Sequence, residues 1–202
     1  MAVSEVQIAK MALQHLGDRY DITSLSEATP EAEQVNLVFD NLRDELVREH
    51  PWNFALRYYT PAALVGTPPA QYTYMYAYPS DALRVWRIVN PMDPTGDLYE
   101  PLKWRVARNN SDIRVLLTNE SEPEFEYSKQ VTNSFEFDAS FDMALSWRIA
   151  AAIALPITGD VGIKDRVTRD AETSINKAKL QDANEGVSKV QTQDPDWIKA
   201  RL

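Results

Sequence analysis

Four alternating glutamates, a ladder of tyrosines and two histidines are the residues whose types and spacing could do chemistry in this chain. Glu120, Glu122, Glu124 and Glu126 interleave with Ser121, Pro123, Phe125 and Tyr127, so an extended strand would carry four carboxylates on one face and an apolar row on the other. Clustered carboxylates suit a hard cation such as calcium, or paired acid–base work, although a solvated strand face is their commoner use. Glu136, Asp138 and Asp142 continue the acidity, which makes an acidic surface a candidate role. Tyr72, Tyr74, Tyr76 and Tyr78 alternate along residues 71–78, which places them on one face of a strand. With Trp52, Trp86, Trp104 and Trp147 they could stack on sugars or on single-stranded nucleic acid. No basic patch accompanies them, which favours packing over nucleic acid and leaves sugar binding open.

His15 and His50 are the only histidines and there is no cysteine, so disulfides, thiolate metal sites and thiol nucleophiles are all excluded. Both histidines fall near the ends of predicted helices, where capping or surface roles are commoner than metal ligation. Ser24, Ser80, Ser111 and Ser146 lack the context of a nucleophile elbow, and no Gly-rich phosphate loop is present. The residues give no positive sign of an enzyme, a cofactor or a metal.

The elements that must position these groups follow from periodicity. Ser4 and Gln7 have capping-box spacing, Ile8, Ala12, Leu13 and Leu16 share a helical face, and Gly17 is the stop. Thr29-Pro30-Glu31 starts a second helix, with Ala32, Val35, Phe39, Leu42 and Leu46 on its apolar face until Pro51. Strand-like runs follow at 71–78, 83–89, 113–117 and 125–131. They are punctuated by Pro68-Pro69, Pro79-Ser80-Asp81, Pro94-Thr95-Gly96 and Asn109-Asn110, a pattern of an antiparallel sandwich or small barrel. Helical spacing returns after Asp138 with Phe141, Leu145, Ile149, Ala152 and Ile153, and Pro156 closes that run near Thr158-Gly159. A last helix over 164–184 is mostly polar, with Val167, Ala171, Ile175 and Ala178 as a thin seam that needs a neighbour to bury it.

The expected fold class is therefore α+β, with 202 residues suited to one domain and an appendage. Residues 1–50 and 138–186 form a helical bundle, 51–137 an inserted antiparallel β-rich domain, and 187–202 an extended C-terminal tail. A formal charge of -9 and a pI near 4.8 oppose direct gripping of nucleic acid, while they suit a wall that DNA slides past. The start lacks a basic region followed by an apolar one, and no uninterrupted apolar run approaches a bilayer's thickness. The expectation is a protein neither secreted nor membrane-embedded.

The junction His50-Pro51-Trp52-Asn53-Phe54-Ala55 joins the second helix directly to the strand region. It follows Ala9-Lys10-Met11-Ala12-Leu13-Gln14-His15-Leu16-Gly17 and Val38-Phe39-Asp40-Asn41-Leu42-Arg43-Asp44-Glu45-Leu46-Val47-Arg48. Tyr76-Ala77-Tyr78-Pro79-Ser80-Asp81-Ala82-Leu83-Arg84-Val85, Phe125-Glu126-Tyr127, Phe141-Asp142-Met143-Ala144-Leu145-Ser146-Trp147-Arg148-Ile149-Ala150 and Ala152-Ile153-Ala154-Leu155-Pro156-Ile157-Thr158 come after it. In that order, over nearly the whole chain, these segments resemble the tail tubular protein A family, the head-to-tail adaptors or connectors of tailed bacteriophages. The resemblance implies a bundle built from both chain ends around an inserted β domain. It also implies a structural virion protein of the neck or tail, assembled in the host cytoplasm. Such proteins form a homo-oligomeric ring, commonly of twelve subunits, that docks below the portal protein, extends the DNA channel without binding DNA specifically, and seats a nozzle or other tail protein.

On that footing the seam Val167, Ala171, Ile175 and Ala178 is the candidate subunit interface. Trp197, Ile198, Arg201 and Leu202 are candidates for portal docking. Two other classes remain open from the residues: a carbohydrate- or receptor-binding tail module using the aromatic strands, and a wall hydrolase using the glutamates.

Overall fold

The computed structural model describes residues 3–17, 22–92 and 101–185. The turn expected at Pro94-Thr95-Gly96 and the tail candidates Trp197, Ile198, Arg201 and Leu202 lie outside them.

Helix α1 (Glu5–His15) starts on a complete capping box: the Ser4 hydroxyl accepts from the Gln7 N–H and the Gln7 side chain accepts from the Ser4 N–H. Helix α2 (Pro30–Glu49) starts where Thr29 caps the Ala32 N–H and Pro30 occupies the first turn, whose free N–H positions it does not miss. It ends at His50, held extended ahead of Pro51. Helix α3 (Ala139–Thr158) continues past Pro156 and stops at Gly159, whose φ of 65° closes the last turn. Helix α4 (Val161–Glu185) starts three residues earlier than its apolar seam suggests, because the Asp160 carboxylate accepts from the N–H groups of Gly162 and Ile163.

Between α2 and α3 lie β1 (Leu56–Tyr59), β2 (Tyr74–Ala77), β3 (Ala82–Val89), β4 (Trp104–Arg108), β5 (Arg114–Thr118) and β6 (Glu124–Lys129). They form two antiparallel three-stranded sheets, ordered β1-β6-β3 and β2-β5-β4. Val85, Ile88, Phe125 and Tyr127 of the first sheet meet Tyr76 and Leu116 of the second in one buried cluster. The β region is thus a two-sheet sandwich rather than a closed barrel. Sequence reading missed β1 and β4, although Trp104 and Val106 alternate with Arg105 and Ala107 in the manner of a half-buried strand. Register shifts at Leu83 and Trp86 bend β3, so that Leu83 packs on the helices while the Trp86 indole N–H reaches the Ser128 hydroxyl at 2.8 Å.

The larger core lies among the helices, where α3 packs against α1, α2 and α4. Trp52, Ala55, Val131 and Phe137, at the two ends of the expected β insert, also bury there. The fold is α+β: N-terminal and C-terminal helices pack together, with two small sheets between them in the chain. By length and composition α3 is apolar enough to cross a membrane, yet half of it is buried inside the protein as the central core helix.

Three expectations require correction. The seam Val167, Ala171, Ile175 and Ala178 is buried within the chain, because α4 lays it against α3, so it is not a free surface for a neighbouring subunit. The four glutamates do not share a strand face. Glu120 and Glu122 lie in the turn before β6, Glu122 with a φ of 55°, and on β6 Glu126 is 7% exposed. The tyrosines do not form one ladder either. Tyr74, Tyr76 and Tyr78 join the core between the sheets, whereas Tyr72, in the turn after Pro69, packs with Met75, Val115 and Leu117 on the opposite face.

Candidate functional site

The most constructed polar region is where the α2–β1 junction meets the end of α4. Pro51 breaks α2 and lets Trp52 turn into the core, where its Nε1–H donates to the Leu46 carbonyl at 2.8 Å. The same turn presents His50 and Asn53 to Asp182, which is 3% exposed. His50 Nε2 lies 3.0 Å from Asp182 Oδ2, the Asn53 N–H donates to Oδ1 at 3.0 Å, and the Asn53 amide donates to the Asp182 carbonyl at 2.9 Å. One turn away, Lys179 Nζ pairs with Glu49 at 2.9 Å, and Glu49 also pairs with Arg148 of α3 at 3.1 Å. Three helices and the start of the sandwich are therefore tied at one point. Asp182 follows Ala178 by four residues on the buried seam, and an acid at a seam position is the sequence signal that reveals it.

A second polar group sits between α1 and α3. The His15 ring stacks on Trp147 with centroids 3.6 Å apart and planes at 8°, and Nε2 lies 3.1 Å from the Ser146 hydroxyl. Ser146 spends its one proton on the Met143 carbonyl at 2.8 Å, so His15 Nε2 carries the hydrogen toward Ser146. Burial lowers the imidazole pKa to about 4, against the raising pull of Asp170. One turn before Ser146, burial pushes the Asp142 carboxyl up to about 6, with Asp138 adding to the rise. Asp142 Oδ1 has no hydrogen-bond partner among the described residues. A half-buried neutral histidine at the end of α1 and a buried, readily protonated acid on α3 thus lie along the α1–α3 contact. They face no common cavity and do not form a nucleophile–base pair.

On the outer face of the first sheet, Arg87 donates from Nε at 3.2 Å and Nη2 at 3.0 Å to Glu126 Oε2, which neutralises the one buried glutamate of the alternating run. Arg84 lies over the Trp86 ring at 3.9 Å, so that indole is covered rather than open as a platform. Trp52, Trp104 and Trp147 all pack into cores. Among the described residues Ser24, Ser80 and Ser111 make no hydrogen bond to either histidine, and Ser146, which bonds to His15, is fully buried. Among the described residues no group of three or more His, Asp or Glu is placed to hold a metal ion.

The structure brings together the two chain ends, through His15 with Ser146 and His50 with Asp182. It separates the glutamates and encloses the α4 seam. What these arrangements do chemically is bind one segment to another. Comparison with protein-family models and with curated proteins returned no match to this chain.

Proposed function

We propose that the protein is a structural virion component, a head-to-tail adaptor that forms a ring below the portal, extends the DNA channel and provides the seat for a nozzle or tail protein. The observation that carries the reading is architectural. Helices from both ends of the chain close into one bundle around an inserted β-sandwich, the arrangement implied by the resemblance to the tail tubular protein A family. The sequence segments that carry the resemblance are also the ones that weld the bundle: the His50-Pro51-Trp52-Asn53 junction grips α4, and the Phe141 to Ile153 face fills its centre. An acidic chain suits a channel through which DNA passes.

With the α4 seam enclosed, ring contacts fall to exposed apolar side chains on the helices, among them Leu37, Val161 and Leu180. A closed ring needs a heterologous contact, in which different surfaces of successive copies meet. Trp197 and Ile198 remain the proposed portal anchors. The test is electron microscopy of the protein mixed with its cognate portal, beside a version truncated after Lys189. Added ring density with the full chain alone supports adaptor and tail together. Density with both assigns docking to the bundle, and density with neither removes the adaptor reading.

A further inference from the structure

A cavity of about 640 Å3 opens at one end of the sandwich, between the segment that leaves β1, the strand β2 and the turn before β6. Its volume falls in the range of about 300–1,000 Å3 common for small-molecule sites. Tyr74 and Tyr76 form the aromatic wall, with ring centroids 6.1 Å apart; Tyr76 is almost fully buried and Tyr74 is half-buried. Across from them stand the exposed Thr60, Ala62, Ser121 and Glu122.

The polar rim is held in place from below. The Tyr76 hydroxyl donates to the Glu120 carbonyl at 3.0 Å and accepts from the Glu122 N–H at 3.2 Å. Those two bonds hold Glu122 in a left-handed conformation, with φ of 55°, that its side chain does not favour by itself. The Glu122 carboxylate, the Tyr74 hydroxyl and the hydroxyls of Thr60 and Ser121 make no hydrogen bond within the described chain. An aromatic ring beside a carboxylate and free hydroxyls matches a neutral sugar: the ring packs on the C–H face of a pyranose, and a carboxylate accepts from two adjacent hydroxyls. The same carboxylate repels an anionic sugar.

We propose that this cavity binds one neutral pyranose ring of an oligosaccharide, with Tyr74 as the stacking residue and Glu122 as the diol acceptor. This is independent of the adaptor reading, since it concerns the sandwich and not the bundle or the tail.

The test is saturation-transfer NMR on the full chain with neutral gluco-, galacto- and manno-configured trisaccharides, beside a sialylated trisaccharide. The expected result is transfer to a neutral sugar and none to the sialylated one. Glu122→Gln and Tyr74→Ala each weaken binding about tenfold, a loss of about 1.4 kcal/mol. Because Tyr74 is half-buried, Ala62→Trp provides the decisive variant: it fills the cavity from an exposed wall and abolishes transfer, while the circular dichroism melt stays at the wild-type temperature. Absence of transfer from all the sugars, equal transfer in Ala62→Trp, or preference for the sialylated sugar overturns the assignment.

Discussion

His50 and Asp182 are 132 positions apart in the chain and 3.0 Å apart in the fold, and Asp182 binds the Asn53 N–H with its other carboxylate oxygen. The α2–β1 junction is thereby locked to the last turns of α4. Replacing the acid strands a half-buried imidazole and a backbone N–H at once. Asp182→Ala is expected to lower stability by about 2–3 kcal/mol. Urea unfolding measures it; a loss below half a kcal/mol would show that the junction is held by packing alone.

Trp52 is fully enclosed against Phe54 and Phe141 and also satisfies the Leu46 carbonyl. Trp52→Phe keeps most of the aromatic volume and loses the hydrogen bond, for an expected cost of about 1–2 kcal/mol. Trp52→Ala adds a cavity and should cost about 3–5 kcal/mol. Equal losses for the two variants would mean that the cavity collapses or that the hydrogen bond carries the whole effect.

His15 and Asp142 impose opposite pH dependences on folding. The imidazole titrates near 4 when folded against an ordinary 6.5, so the unfolded chain binds that proton first and stability falls as pH drops through this interval. The carboxyl titrates near 6 when folded against an ordinary 3.8, so the folded chain binds its proton first and stability rises as pH drops from about 6 toward 4. In the wild type the two slopes offset one another. Asp142→Asn should therefore stabilise the protein at pH 7 by on the order of 2 kcal/mol and steepen its loss of stability below pH 6. Denaturant curves at pH 7, 5 and 4 check both signs, and unchanged stability at pH 7 would show that the carboxylate is satisfied by water.

Glu126 and Arg87 pair where the acid is nearly buried, whereas Arg108 and Asp112 pair in solvent. Arg87→Ala leaves a buried carboxylate uncompensated and should cost about 2–4 kcal/mol, while Arg108→Ala should cost less than about 1 kcal/mol. The double variant Arg87→Ala with Glu126→Gln should recover part of the larger loss. No recovery would place the cost of Arg87→Ala in lost packing rather than in charge.

The helix starts were legible because a cap is a local device. Ser4 with Gln7, and Thr29, satisfy N–H groups within three residues of themselves, and Pro30 has no N–H to satisfy, so no distant contact is needed to read them. The start of α4 was read three residues late, since the apolar seam begins only after the Asp160 cap has done its work. The candidate site was far less legible. The alternating glutamates looked like one acidic face, but the turn that holds Glu122 at positive φ ends the alternation before β6 begins. Their number in sequence carries no information about Arg87, which reaches Glu126 from another strand.

By itself the sequence determined the helix–sheet–helix order, the caps and breaks, the apolar faces of α1, α2 and α3, and the absence of any thiol chemistry. All of these depend on interactions over a few residues or on composition alone. Only the tertiary structure decided that the α4 seam is enclosed by α3, that three of the tyrosines face one sheet and the fourth faces away, and that His15 and His50 join the two ends of the chain. A buried polar side chain must find its partner across the fold, and its partner's identity is set by how the elements pack rather than by its neighbours in sequence.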